Sequence, residues 1–238
     1  MAMPSSLVCL SGTGMLAPVA MNEDTRYSDE PPWARRIHRF WYGEQDVHDQ
    51  GYQHLFKRWY RGGPDFDREV RDTFEDLLLR VADDRDDLSP WTSTPRARHC
   101  AVLLLDQMSR NMYRGSARMF AFDPLAIALV RQALDNGEYD RLAPVERLFM
   151  AVALEHSEAF EDVELSHQLM IELARIAPEP QARRFESMVR YNRDHLRVVR
   201  RFGRYPHRNR LLGRESTDDE REFLARTSYR WMRSVEPA

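Results

Sequence analysis

Apolar residues recur every three or four positions along most of the chain, which is the period of an amphipathic α-helix. The clearest stretch follows Asp65, which we expect to cap its helix, and its apolar positions are Phe66, Val70, Phe74, Leu77, Leu78 and Val81. No stretch shows the strict alternation of apolar and polar residues that is typical of a half-buried strand. The pattern therefore predicts an all-α fold.

Proline, glycine and capping residues divide this pattern into separate helices. We expect helices over about 33–43, 49–61, 65–81, 94–113, 117–136, from 145 onward, 162–176, 181–201 and after a cap at Ser216 or Thr217. Paired helices with short turns indicate a helical-hairpin array that resembles a degenerate tetratricopeptide-like fold, since no clean repeat of roughly 34 residues is found. We expect residues 1–30 to be a flexible N-terminal extension and 31–238 to form a single all-helical domain.

Composition narrows the class of protein. The formal net charge of −3 excludes a uniformly basic nucleic-acid binder, although a local basic patch is compatible with it. No window approaches the roughly 18 uninterrupted apolar residues of a membrane helix, so no membrane association is expected. The two cysteines, Cys9 and Cys100, do not form a disulfide framework, and no basic segment precedes the apolar N-terminus as in a signal peptide. We expect a cytoplasmic protein.

Polar residues interrupt two helices that otherwise have the pattern of a buried core. Asp106, Arg110 and Asn111 directly follow the apolar run 102–105, and Asp106 and Arg110 share a helix face at a separation of four. Such a cluster must find partners or line a cavity. We interpret the three residues as substrate-binding candidates, with a surface ion pair as the alternative.

The second interruption is Glu155-His156-Ser157-Glu158, after the apolar residues 152–154. Histidine can exchange a proton near neutral pH, and carboxyl groups beside it can act as acid, base or cation ligand. Glu155, His156 and Glu158 are therefore catalytic candidates, with an ordinary helix end and a solvated histidine as the alternative. Glu164 and His167 have the Glu-x-x-His spacing of half a di-iron site, but no second copy exists. We expect no metal and no cofactor.

A third cluster is strongly basic. Residues 181–214 contain eleven arginines and two acidic residues, a local charge of about +9 within a chain of net charge −3. This contrast indicates an anionic partner, unless the segment only balances the acidic runs at 83–87 and 218–222. From it we take one catalytic candidate, His207, and the substrate-binding candidates Arg201, Arg204, Arg208, Asn209 and Arg214.

The strings at these three places resemble the DUF924 family of bacterial and fungal helical proteins with a tetratricopeptide-like fold. The resemblance spans about residues 33–226. The strings that carry it are Phe40-Trp41-Tyr42-Gly43, Leu104-Leu105-Asp106-Gln107 with Arg110-Asn111, Glu155-His156-Ser157-Glu158, and 201–209. This group is in turn similar to fungal arginine-containing cyclodipeptide synthases, which use aminoacyl-tRNA.

The resemblance implies an enzyme that joins an amine to an activated aminoacyl ester. His156 or His207 would then be the base, while Glu155 and Glu158 would hold a substrate guanidinium or ammonium group. Oxyanion donors would be Arg110, Asn111 and Asn209, and the phosphate or carboxylate ligands Arg201, Arg204, Arg208 and Arg214. The alternative is a non-catalytic helical module whose arginine-rich groove binds an anionic small molecule or a peptide. Convergence of titratable groups on an enclosed pocket would favour the enzyme.

Overall fold

The computed structural model describes residues 29–43, 55–177 and 181–233. Within these ranges the chain forms α-helices and short 3₁₀ segments, with no β-strand, so the predicted all-α fold is confirmed. The helices are α1 (Pro32–Tyr42), α2 (Leu55–Arg61), α3 (Gly63–Asp83), α4 (Pro95–Val102), α5 (Ser109–Met112), α6 (Asp123–Asp135), α7 (Pro144–Glu155), α8 (Phe160–Ile176), α9 (Gln181–Phe202) and α10 (Asp218–Arg226).

A π-helical segment, Leu103–Met108, joins α4 to α5. The residues on either side of it, Val102 and Ser109, keep right-handed helical backbone angles, so α4, the π segment and α5 form one continuous helix. A π turn is wider than an α turn and is common beside functional sites. Here it includes Asp106, one of the polar residues that the sequence marks as a candidate.

The main core is rich in aromatic side chains contributed by helices far apart in sequence. Trp41 of α1 stacks on Trp59 of α2, with ring centroids 5.8 Å apart, and Phe149 of α7 meets both rings edge-on. A smaller apolar cluster lies where α8 and α9 meet the C-terminal segment. It contains Val163, Leu196, Val198, Val199, Tyr205, Trp231 and Met232.

Most helix ends agree with the prediction, and two do not. Helix α3 begins at Gly63, so Asp65 lies in its first turn instead of capping it, where its carboxylate still faces the positive end of the helix dipole. Residues Ala117–Phe120 form a separate 3₁₀ turn, and α6 begins only at Asp123. Each of these two helices has a proline in its first turn. A proline there favours the start of a helix, but the spacing of the apolar residues does not show which residue is the first.

Several expectations fall outside the described ranges. These are the N-terminal extension apart from Asp29 and Glu30, the start of the second helix at 49, and Cys9. Cys100 is buried, and its thiol is free. Among the described helices, none combines the length and the apolar composition needed to cross a bilayer. The proposed division into an extension and one domain remains a prediction.

Candidate functional site

A partly enclosed cavity of about 150 Å³ lies between the main core and the smaller apolar cluster. This is room for about five water molecules, at ~30 Å³ each, and is the scale of a small organic ligand. Seven separate parts of the chain contribute to its wall. The lining residues are Trp59, Gln107, Arg110, Asn111, Arg114, Met119, Phe120, Val152, Glu155, His156, Met188, Tyr191, His195, His207, Arg208 and Trp231.

An Asp–His pair forms one side of the cavity. The Nδ1 atom of His156, at the C-terminal end of α7, lies 2.7 Å from Oδ1 of the buried Asp106. Gln107 donates to the other carboxylate oxygen at 2.6 Å. Burial alone would raise the pKa of Asp106, but Arg110 and His156 outweigh it and hold that pKa well below its usual range. The ionised carboxylate therefore orients the imidazole and leaves its Nε2 atom to exchange a proton with a ligand.

Arg110 and Arg208 share a second carboxylate, Asp123, at the start of α6. Arg110 binds it through two parallel hydrogen bonds of 2.8 and 2.9 Å and also pairs with Asp106 at 3.0 Å. Arg208 approaches the same carboxylate only to 3.6 Å. Its guanidinium lies against the rings of Phe120 and Tyr205, 4.6 and 4.5 Å from their centroids. Two buried guanidinium groups thus interact with one carboxylate, and the interaction of Arg208 is the weaker of the two.

Glu155 is a buried carboxyl group without a cationic partner at hydrogen-bonding distance among the described residues. Only 3% of it is exposed, Asn192 donates to its Oε2 at 2.7 Å, and His195 Nε2 lies 3.6 Å from Oε1. Burial raises the pKa of Glu155 to about 8, with the Asp106 charge adding to the effect and the Asn192 hydrogen bond opposing it. Glu155 therefore carries its proton at neutral pH.

The three histidines of the cavity favour the neutral form. Burial lowers the pKa of His156, and it lowers those of His195 and His207 well below the usual value, with the positive charge of Arg208 adding to the effect on both. His195 faces the carbonyl oxygen of Tyr191 through Nδ1 at 3.1 Å, so its Nε2 atom is an acceptor directed towards Glu155. Its ring stacks on Trp231 at 3.7 Å.

Asn111 and Arg114 line the cavity, but their polar groups are held from behind. Asn111 donates to Asp67 of α3 at 2.7 Å, and Arg114 binds the same carboxylate at 2.6 and 3.0 Å. Asp67 thus fixes the turn after α5 against α3. The side-chain amide of Asn111 points at this carboxylate, which leaves little of its donor capacity for an oxyanion.

Six of the twelve candidate residues lie outside the cavity wall: Asp106 lies behind it, in contact with His156, and the other five make contacts elsewhere. Glu158 forms a bidentate pair with Arg214 at 2.6 and 2.9 Å. Arg204 binds the buried Glu220 of α10 at 2.7 and 2.8 Å, and Asn209 donates to the same glutamate at 3.1 Å. Arg201 is exposed and lies against the rings of Phe202 and Phe223. These contacts hold the segment after α9 in place.

The arginine-rich region therefore divides into two groups. Arg204, Arg208 and Arg214 are partly or fully buried and pair with carboxylates. The other eight side chains of the eleven are exposed, most of them on the outer face of α9. They are Arg183, Arg184, Arg190, Arg193, Arg197, Arg200, Arg201 and Arg210. The positive charge seen in the sequence is thus a property of this exposed surface more than of the cavity.

Several residues of the site were not among the candidates that the polar strings indicate. His195, Tyr191 and Met188 lie on the inward face of α9, and their spacing of three and four was a usable signal that the surrounding arginines obscured. Trp59 and Trp231 come from helical segments before and after the marked strings. Asp123, which pairs with two arginines of the wall, was not a candidate either, because nothing local indicates that it pairs with Arg110, thirteen residues earlier.

The arrangement suits proton transfer better than metal binding or covalent catalysis. No cluster of three His, Cys, Asp or Glu side chains suited to a metal occurs among the described residues. The two serines near the site are engaged: Ser109 donates to the carbonyl oxygen of Leu105, and Ser157 donates to Asp162. What remains is a protonated carboxyl group, a neutral histidine held by a carboxylate, and two cations within one cavity.

Comparison with known proteins supports the relation suggested by the sequence strings. None of the curated proteins is significantly similar to the chain. A solved structure of a protein of unknown function from Agrobacterium tumefaciens superposes with a TM-score of 0.67 at 28% sequence identity, covering 82% of this chain and 97% of that one. The sequence model of the bacterial proteins of unknown function called DUF924 matches residues 37–228. All three polar strings of the site lie inside that range, and the chain belongs to the DUF924 family.

Proposed function

We propose that this protein is an acid–base enzyme that transfers an acyl group to an amine, with an aminoacyl-tRNA as the acyl donor. The observation that carries the proposal is the pair of opposite proton states in one cavity. Glu155, with its pKa raised to about 8 by burial, holds a proton it can give. His156, kept neutral by burial and oriented by Asp106, can accept one.

These two groups match the needs of aminolysis of an ester. His156 takes a proton from the attacking amine as the new C–N bond forms. The C–O bond of the ester breaks, and Glu155 gives its proton to the departing ribose oxygen. The products are an amide and a free hydroxyl group. When the attacking amine belongs to a second aminoacyl-tRNA, the dipeptide keeps that second ester, and its own free amine can attack the ester carbonyl, release the second ribose hydroxyl group and close a cyclic dipeptide.

The size of the cavity and the charge outside it support a nucleic-acid donor. A volume of about 150 Å³ admits an aminoacyl group but not an RNA helix. The exposed arginines of α9, among them Arg190, Arg193 and Arg197, offer cations to a phosphate backbone. An α-helix with its side chains is only about 10 Å across. A short single-stranded RNA end can therefore pass from the arginine face to the cavity on the other side of α9.

The test is product analysis with purified protein, total tRNA, synthetases and labelled amino acids, beginning with arginine. We expect an amide or cyclic dipeptide, detected by mass spectrometry, that disappears after RNase treatment. Glu155→Gln should abolish the product. Glu158→Gln is the matched control, because Glu158 lies three residues away but pairs with Arg214 outside the cavity. Absence of product with every charged tRNA would overturn the aminoacyl-tRNA proposal.

The second candidate is a non-catalytic module that binds an anionic ligand in the same cavity. It is favoured by buried nitrogen atoms of His207 and Arg208 that have no hydrogen-bond partner among the described residues. The two functions separate on turnover. A binding module should form no product either as the wild type or as Glu155→Gln, whereas the enzyme should form product as the wild type and, in Glu155→Gln, retain binding and lose turnover.

A further inference from the structure

Two residues of the cavity wall each carry a buried nitrogen atom without a hydrogen-bond partner among the described residues. Arg208 Nε and His207 Nδ1 have no hydrogen-bond acceptor among the residues that the structure describes. Both residues line the cavity, and Arg208 is only 6% exposed. Buried N–H groups are nearly always paired in folded proteins, so two neighbouring exceptions in one cavity call for an explanation.

The contacts of Arg208 explain why the protein itself does not satisfy it. The nearest carboxylate, Asp123, uses both oxygens for the bidentate pair with Arg110, and Arg208 reaches it only at 3.6 Å. The rings of Phe120 and Tyr205 occupy the two contacts that a flat guanidinium makes best with aromatic groups. Its orientation is thereby fixed, while its hydrogen-bonding capacity is left for another acceptor.

The remainder of the wall is largely apolar. It includes the side chains of Trp59, Met119, Phe120, Val152, Met188 and Trp231. A ligand that fills this space must bury an apolar or aromatic body against them and place its polar end at the arginine and histidine. Water could occupy the polar end but would not fill the apolar part.

We propose that the cavity binds a small organic anion whose oxygens accept from Arg208 Nε and His207 Nδ1 and whose apolar body packs against Trp231 and Phe120. The neutral His207 ring presents its proton at Nδ1 in one tautomer, and an anionic oxygen selects that tautomer. Carboxylate and phosphate share this chemistry. The inference names the substrate class for the site of the proposed function, but it concerns binding alone and is tested without turnover.

The experiment measures binding of matched probes to the full chain by titration calorimetry and by the shift in Tm. Phenylacetate and phenyl phosphate are the anionic probes, and phenylacetamide is the neutral probe of the same shape. We expect at least one anion to bind at least tenfold more tightly than the amide. Preference for the carboxylate points to a free acid as the natural ligand, and preference for the phosphate points to a nucleotide end. Equal binding of the amide, or no binding of either anion, would overturn the inference.

Variants locate the subsite. Arg208→Gln and His207→Gln should each weaken the preferred anion at least tenfold and leave the amide unchanged. Arg210→Gln, a matched change of an exposed arginine outside the cavity and outside α9, should have no effect on either probe. The comparison of anion with amide on the unaltered protein stands even if a variant does not fold. Anion binding without product would retire the proposed function and leave this inference in place, and product without anion binding would do the reverse.

Discussion

Glu155 and Glu158 show how strongly the surroundings decide the state of one residue type. They are three positions apart at the end of α7, yet burial without a cation raises the pKa of Glu155 to about 8. For Glu158, burial is outweighed by hydrogen bonds from Arg214 and the backbone N–H of Tyr205, and its pKa is lowered. One carboxyl group therefore keeps a proton at neutral pH while its neighbour is ionised and structural.

Stability should respond to pH through Glu155 in a direction that a substitution can reveal. The folded-state pKa is raised from the ordinary 4.5 to about 8, so the stabilising proton is fully present below about pH 4.5 and is lost as the pH rises through about 8. Glu155→Gln keeps a neutral group at every pH. We expect the stability advantage of this variant over the wild type to grow as the pH rises from about 4.5 to 8, and to be larger by at least about 2 kcal/mol at pH 9 than at pH 5, measured by urea unfolding.

The neighbouring substitution is the control for this prediction. Glu158→Gln removes a carboxylate that is paired in the folded state, so it should be less stable than the wild type at both pH values. A stability difference between Glu155→Gln and the wild type that is the same at pH 5 and at pH 9 would contradict the raised pKa of Glu155.

Asp106 should act through His156. Asp106→Asn removes the charge that fixes the imidazole and favours its protonated form, and the amide can stabilise the wrong tautomer. We expect kcat for amide formation to fall by about 10²–10⁴-fold with little change in KM. We also expect the pKa of His156, followed by NMR of the imidazole protons, to decrease, because the Asp106 charge raises it in the wild type. An unchanged imidazole titration would show that Asp106 is only part of the scaffold.

At the scale of single residues, the sequence was informative where a polar string interrupted an apolar run. Asp106, Arg110, Glu155 and His156 could be predicted for that reason, and all four lie in or directly behind the cavity wall. Which arginine pairs with which carboxylate could not be predicted. Ion pairs such as Arg214–Glu158 join residues 56 positions apart, and nothing in the sequence near either residue indicates which distant residue is its partner.

The sequence contains signals for helix ends, and these differ in how clearly they show where a helix begins. Thr217 forms a capping box with Glu220 at the start of α10, as the acidic first turn indicates. The π segment before α5 could not be foreseen, because residues in a π turn do not differ in type from those in an α turn. The start of α3 was misplaced for a similar reason: Gly63 and Asp65 are both acceptable at a helix N-terminus.

The capping box of α10 does more than end a helix. Glu220 accepts from the backbone of Thr217 and also from Arg204 and Asn209 of the preceding segment, and these hydrogen bonds, that from Arg204 above all, lower its pKa to about 2. Thr217→Ala should therefore cost about 1 kcal/mol, the usual value for a lost cap. Glu220→Ala should cost clearly more, because it also leaves the buried Asn209 amide without that acceptor.

Urea unfolding at pH 7 measures both costs. Since Glu220 holds the segment that carries His207 and Arg208, the Glu220→Ala protein should also bind the preferred anion more weakly, whereas Thr217→Ala should not. Equal costs for the two variants would mean that Glu220 serves only as a capping residue.

The whole molecule separates its arginines into those that build the fold and those that face solvent. Only one basic residue, Lys57, is a lysine, and the planar guanidinium suits the bidentate pairs seen at Arg110, Arg114, Arg204 and Arg214. The all-helical fold and its hairpin order could be predicted, since they depend on the spacing of apolar residues and on the prolines and glycines between the helices. The cavity could not be predicted, because seven separate parts of the chain contribute to it.

The exposed arginine face gives a prediction at this scale. If the acyl donor is a tRNA, Arg190→Gln with Arg193→Gln should weaken RNA binding about equally for all sequences. The slope of log K against log salt should become shallower by about 1–2. Binding of the small anion in the cavity should not change, because both residues lie on the opposite face of α9 from Met188 and His195. Filter binding of RNA at a series of salt concentrations measures this slope.

The π segment has a consequence for how relatives of this protein are compared. A π turn holds one residue more than an α turn, so a helix that lacked one residue of Leu103-Leu104-Leu105 would close into a regular α-helix. The flanks, α4 and α5 with Arg110, would keep their places, while the side chains of the segment itself would be redistributed around the helix axis, and Asp106 is one of them. A relative with a single-residue gap here would keep the fold, and we expect it to lose the contact between Asp106 and His156. Length conservation at this one point therefore distinguishes family members that share the chemistry from those that share only the scaffold.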